Sequence, residues 1–279
     1  LLERLWVADD GMRRATELFG MSLVATFFGT IGRRTLGSAG SLGRMTLFLL
    51  NAGRRFATRP FRGAELLEQA RFIGNRSLGV VCLTAAFTGM VLALQGYSAL
   101  VRFGSEAIVG SLVALSLTRE LSPVLAALMV TARAGSAITA TLGNMRVGEQ
   151  IDALRAMAID PVQYLVSPRL VAAIAVIPLL TAMFSLVGIG SAYALSTTVL
   201  HLDGGQFLSS VRDSVEWSDV SAGIWKSLVF AVCVAWIGTY YGFFAAGGAK
   251  GVGFATTQSV VATSVVILIG DYVMTALLF

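Results

Sequence analysis

The sequence predicts an all-α integral membrane protein: five transmembrane helices, preceded by interfacial amphipathic helices, with a short cytoplasmic helix between spans two and three. Three observations carry this. The chain of 279 residues is 56% hydrophobic and only 13% charged, with a mean hydropathy of +0.76. A soluble domain carries about 25% charged residues to cover its surface, so here much of the outside must face lipid. Five apolar runs reach the roughly 20 residues that a helix needs to cross a bilayer. The basic residues gather at the ends of those runs and favour one side, as the positive-inside rule requires. That placement also accounts for a pI near 9.6 without nucleic acid as a partner.

The chain opens with Leu1-Leu2-Glu3-Arg4, and Asp9-Asp10 follow, which is not the pattern of a secretory signal. Two apolar stretches, Leu18 to Ile31 and Leu42 to Leu50, are too short to span. Arg33-Arg34 and Arg54-Arg55 border them, which suits helices lying in the headgroup plane. A helix packed on the cytosolic side of the protein is the competing reading. The domain reading is therefore 1–76 as a cytoplasmic and interfacial region and 77–279 as the transmembrane domain.

Span one is expected from Leu78 to Val101, with Gln95 as its only strongly polar side chain. Span two runs from Ile108 to Ala132 and contains Arg119-Glu120 followed by Pro123. Span three covers Leu170 to Leu200 around Pro178, span four Ile224 to Ala246, and span five Ala255 to Phe279 with Asp271 inside it. An odd number of spans puts the ends on opposite sides. Twelve arginines precede span one, and Arg146, Arg155 and Arg169 fall between spans two and three. The connection after span three is mainly acidic, with Asp203, Asp213, Glu216 and Asp219 beside Arg212, and Lys226 at its edge. The N-terminus is expected in the cytoplasm and the C-terminus outside.

Few residues suggest catalysis. The one histidine, His201, falls at the outer end of span three. Cys82 and Cys233 lie far apart in apolar segments and read as packing residues. Gly247-Gly248-Ala249-Lys250-Gly251 lacks the spacing of a phosphate loop and reads as a turn between spans. Asn75-Arg76-Ser77 matches a glycosylation pattern on the wrong side of the membrane. No catalytic set, metal set or resident cofactor is expected, and any energy must come from a partner or an ion gradient.

The informative polar groups are those inside spans, where an ionisable side chain costs about 2.5–3.5 kcal/mol unless it finds a partner or water. Arg119 and Glu120 point about 100° apart on a helix and need not pair with each other. Together with Asp271 they form either a clamp between helices or a polar gate in a pathway. Arg133 is expected to snorkel to the inner interface. Gly135, Ser136, Ala137, Thr139, Ala140, Gly143, Gly188 and Gly190 read as small residues that let helices approach. The segment at about 145–160 differs from a polar linker. Ile151, Leu154 and Met157-Ala158 repeat at helical spacing, Glu149 and Asp152 stand near the start, and Pro161 ends the run. Such a helix offers an apolar ridge, flanked by charge, to a soluble partner.

Gly148-Glu149-Gln150-Ile151-Asp152-Ala153-Leu154, with Ala158-Ile159-Asp160-Pro161 and Ser167-Pro168-Arg169, resembles the signature region of the MlaE permease family. Gly89 to Tyr97, Leu112 to Val124, Gly135-Ser136-Ala137, Lys226 to Ala231 and Asp271 to Leu277 match in the same order. The resemblance covers about 41–279, leaving 1–36 as an extension. It implies a subunit of a phospholipid ABC transporter of the bacterial inner membrane, which maintains outer-membrane lipid asymmetry. Its partners would be a second copy of the chain, a cytoplasmic ABC ATPase that uses ATP and Mg, a STAS-domain protein and a periplasmic hexamer of Mce-domain proteins. It implies a lipid pocket lined or bordered by Leu92, Gln95, Tyr97, Leu100, Phe103 and Glu120, and a coupling helix docking through Glu149, Asp152, Ala153, Leu154 and Met157. Two other classes stay open: an ion-coupled secondary lipid transporter, whose discontinuous helices and repeats are not evident, and a membrane scaffold for Mce-domain proteins.

Overall fold

The computed structural model describes residues 40–41, 43–54 and 63–278. The expected helix at Leu18 to Ile31 lies outside them, while residues 43–54, including most of Leu42 to Leu50, are helical. The chain divides into two compact units, Leu1–Leu50 and Asn51–Phe279. The second holds the helices α1 (Gly63–Leu100), α2 (Glu106–Val147), α3 (Gln150–Ala156), α4 (Val162–Thr198), α5 (Gly204–Ser214), α6 (Trp217–Phe243) and α7 (Gly248–Leu278). Among the described residues five of them, α1, α2, α4, α6 and α7, are long and apolar enough to cross a membrane, and no strand is present. The helix that holds the first span begins well before residue 77: α1 is continuous from Gly63.

The packing is that of a membrane bundle, with small residues inside and large ones outside. Along α1 the buried positions are Ile73, Ser77, Val81, Ala85, Gly89, Ala93 and Gly96, nearly one every four residues. This stripe lies against α4. At Gly89 an added methyl would collide with the carbonyl of Gly188, and Ser191 Oγ donates to the Ala86 carbonyl at 2.8 Å. Close backbone approach of this kind replaces the hydrophobic drive that lipid does not supply. Gly188 thus serves as expected, whereas Gly190 faces open space. Farther along, Thr139 of α2 donates to the Gly238 carbonyl of α6 (2.9 Å) and can accept from the Ser259 hydroxyl of α7 (3.0 Å). Gly143 gives room to Val252. Cys82 and Cys233 are free and half-buried.

Two prolines shape the spans. Proline has no N–H to donate, and its ring clashes with the carbonyl four residues back. Before Pro123 the helix widens into a π turn over Leu117–Leu121, closed by Ser122 N–H to the Leu117 carbonyl. Before Pro168 the same device recurs over Val162–Val166, closed by Ser167 N–H to the Val162 carbonyl. A third π turn, Thr131–Gly135, precedes Ser136 without a proline. Pro178 is accommodated within α4.

At the end of the bundle where α1 finishes, α5 folds back onto the start of α2. Asp203 caps it by accepting from Gly205 N–H at 2.8 Å, and Phe207 stacks edge-on against Tyr193. Gly110 lets it close, since a methyl there would meet Ser210 and the Phe207 carbonyl. At the opposite end Gly247 and Gly248, both with positive φ (92° and 67°), make the turn from α6 into α7.

Candidate functional site

The helix that holds span four, α6, starts at Trp217, seven residues before the Ile224 expected from hydropathy. Glu216 and Asp219 form a capping box at its first turn, with Asp219 Oδ2 accepting from Glu216 N–H at 3.0 Å. One charge assigned to the outer connection and one at its edge therefore sit inside the bundle. Asp219 is 1% exposed, and Lys226, two turns on along the same face, is fully buried.

These two organise the ionisable residues of the spans. The π turn before Pro123 presents Arg119 and Glu120 to different neighbours. Arg119 Nε donates to Asp219 Oδ1 at 2.7 Å. The Lys226 ammonium donates to Glu120 Oε2 at 2.6 Å, Thr275 Oγ1 at 2.7 Å and Asp271 Oδ1 at 3.1 Å, which uses all three of its N–H groups. Thr275 also lies 3.2 Å from Glu120 Oε2 and donates to the Asp271 carbonyl at 2.8 Å. Helices α2, α6 and α7 are thereby joined through one lysine. Glu120 remains 36% exposed and Asp271 22%, so the cluster is closed on the lysine side and open on the carboxylate side.

Separately, an open groove of about 560 Å³ runs along the C-terminal end of α1, lined by Leu94, Gln95, Ser98, Ala99, Arg102 and Phe103. Its walls are mainly apolar, with Gln95 and Arg102 as polar groups. Of the residues the resemblance offered for lipid binding, Gln95 and Phe103 line this groove. Leu92, Tyr97 and Leu100 are half-buried and outside its lining, and Glu120 belongs to the ionic cluster. The difference is helical phase: positions 94, 95, 98 and 102 share one face.

At the opposite end of the bundle, α3 is joined to α2 by a corner at Glu149, whose φ is +56°. Arg146 holds Asp152 through both carboxylate oxygens (2.8 and 2.9 Å), and Arg155 reaches the same carboxylate at 2.9 Å. Arg155 also stands over the Phe243 ring of α6, at 5.9 Å. Ile151 is buried beneath the helix. The apolar ridge expected over Ile151, Leu154 and Met157 is therefore divided. Ile151 anchors the helix inward, Leu154 is half-buried, and Glu149, Ala153 and Met157 are exposed. Asp152 serves the brace.

Among the described residues no His, Cys, Asp and Glu side chains are grouped to hold a metal ion. The family model for Permease MlaE matches residues 66–277. A probable ABC transporter permease protein of Rickettsia bellii is 41% identical over 250 residues, covering 90% of this chain and 96% of its own length. A second, from Synechocystis, is 37% identical over 273 residues, 98% of this chain and 97% of the relative. The intermembrane phospholipid transport system permease protein MlaE of Haemophilus influenzae is 37% identical over 260 residues, covering 92% and 99%.

Proposed function

This chain belongs to the MlaE permease family, and from that premise we propose that it is the membrane subunit of an ABC transporter that moves phospholipids between the inner and outer membranes. The reading places it in the bacterial inner membrane, N-terminus inside, where the activity maintains outer-membrane lipid asymmetry. The observation that carries it is the groove on α1. An open, mainly apolar trough at the outer end of a span suits acyl chains, and Gln95 and Arg102 at its edge suit a head group. The ionic cluster leaves two carboxylates, Glu120 and Asp271, partly exposed.

In this reading a second copy of the chain completes the cavity. A cytoplasmic ABC ATPase, binding ATP and Mg, engages α3 through Glu149, Ala153, Leu154 and Met157. Asp152 keeps that helix rigid. A STAS-domain protein and a periplasmic Mce-domain hexamer are the remaining partners, and ATP hydrolysis belongs to the ATPase. The test is phospholipid copurifying with the complex, measured per chain by mass spectrometry. Leu94→Asp should lower it severalfold, while Leu186→Asp on the exposed face of α4 should leave it unchanged. Equal lipid in both variants would remove the groove from the mechanism.

A further inference from the structure

The geometry points to a second phospholipid site, in the inner leaflet, where Arg76 and Arg133 receive a lipid phosphate at the seam between α1 and α2. Both side chains are exposed, and neither forms an ion pair among the described residues. Both are nevertheless held in place. The Arg76 guanidinium stacks on the Phe72 ring, 4.4 Å from its centre. Arg133 Nε donates to the backbone carbonyl of Arg76 at 3.4 Å, which brings its head group against the same turn of α1. An arginine that merely snorkels keeps its rotamer freedom. Two guanidinium groups fixed by a ring and by a main-chain carbonyl present N–H forks in the geometry that phosphate oxygens accept.

Depth identifies the ligand. Six residues along α2 from Arg133, Thr139 bonds to Gly238 of α6, just before the aromatic pair Tyr240-Tyr241 near the end of that helix. At about 1.5 Å per residue, Arg133 lies roughly 9 Å outward from that layer. A guanidinium there meets lipid before it meets a soluble anion. Along α1 a lane leads away from Arg76. Gly79 has open space around it, and Leu83 and Phe87, at 61% and 58% exposure, follow on the same face. Spacings of three, seven and eleven residues from Arg76 align them. The lane ends at Phe87, and Val91 separates it from Leu94, where the groove of the first site begins. One helix face thus offers a phosphate seat in one leaflet and an acyl groove in the other. The site rests on the placement of the Gly63 end of α1 in the cytoplasm, and not on the occupancy of the groove.

The experiment is native mass spectrometry of the complex in detergent, titrated with phosphatidylglycerol. The parent should show a saturable site that the double variant Arg76→Gln/Arg133→Gln weakens by about tenfold or more, the scale of losing charge-assisted hydrogen bonds. Arg76→Lys/Arg133→Lys, which keeps charge but not the forks, should fall between. Leu83→Ser should weaken binding as well, because the acyl lane contributes. Glycerol 3-phosphate should fail to displace the lipid at millimolar concentration. Parent-like binding by the double glutamine variant would overturn the proposal, and so would full displacement by glycerol 3-phosphate, which would mark a free-anion site. Leu94→Asp should leave this site intact, so failure of the outer groove and failure of the inner site are read separately.

Discussion

Lys226 is the residue on which the interior of the bundle turns. It is fully buried, and its three donors are spent on Glu120, Asp271 and Thr275. Removing one member of a buried ion pair costs about 3–5 kcal/mol, because the partner is left charged and unpaired. Lys226→Met should therefore lower the thermal stability of the purified protein sharply. The triple variant Lys226→Met/Glu120→Gln/Asp271→Asn should recover most of the loss, since no charge remains to be compensated. A single variant as stable as the parent would mean that water, not the lysine, satisfies the carboxylates. The sequence showed Arg119, Glu120 and Asp271 as costly groups needing partners, but not Asp219 or Lys226. Hydropathy ends a span at its first charges, so Asp219 was counted with the outer connection and Lys226 only as its edge. The available signal was their seven-residue separation, which puts them on one helix face two turns apart, opposite an arginine and a glutamate. The groove shows the complementary limit. A family resemblance supplies positions such as Leu92 and Leu100, while the side of the helix that each occupies depends on how α1 meets α4.

At the scale of elements, the five spans were legible because the lengths of apolar runs are set by the bilayer, and so was the glycine turn at Gly247-Gly248. The π turns were not legible as such, although Pro123 and Pro168 carry their cause. Replacing proline inside an ordinary helix is stabilising, by up to about 3 kcal/mol. Pro123→Ala should do the opposite here. A regular helix through Leu117–Leu121 would rotate Arg119 and Glu120 away from Asp219 and Lys226, which melting of the variant should reveal as a lower midpoint. A rise in stability would show that the ionic cluster does not depend on the widened turn. Helix α3 has its own strained corners. Glu149 and Ala158 adopt positive φ, 56° and 58°, a conformation costing a side chain roughly 1–2 kcal/mol. At Ala158 the backbone bonds Ile159 to Leu154 and Ala158 to Arg155 make the Schellman arrangement that usually ends in glycine. Ala158→Gly should raise stability by about 1 kcal/mol in a denaturant titration, and no change there would mean that the strain is relaxed elsewhere.

Across the whole molecule, the two ends of the bundle are joined by the same two helices. Arg146 at the foot of α2 grips Asp152 of α3, and Arg155 of α3 reaches Phe243 at the foot of α6. Higher up, α2 and α6 meet again through Arg119–Asp219 and Glu120–Lys226. The distance between these contacts is about 27 residues of α2, about 40 Å of helix. In the proposed transport cycle, a displacement of α3 would be carried to the Lys226 cluster by two helices clamped at both ends, and not by a flexible linker. Substitutions at the foot should accordingly separate coupling from lipid binding. Glu149→Lys alters only an exposed charge, the one proposed to meet the ATPase, and Arg146→Ala loosens the brace. Both should reduce ATP-driven lipid transfer severalfold in reconstituted vesicles, while phospholipid copurifying with the complex stays near the parent level. The two should differ in ATPase assembly: Glu149→Lys should weaken retention of the ATPase on the purified complex, whereas Arg146→Ala should retain it with hydrolysis no longer linked to transfer. Full transfer by either variant would detach α3 from the transport cycle. Loss of bound lipid in Arg146→Ala would instead mean that the inner brace and the outer groove form one cooperative unit, with no lever between them.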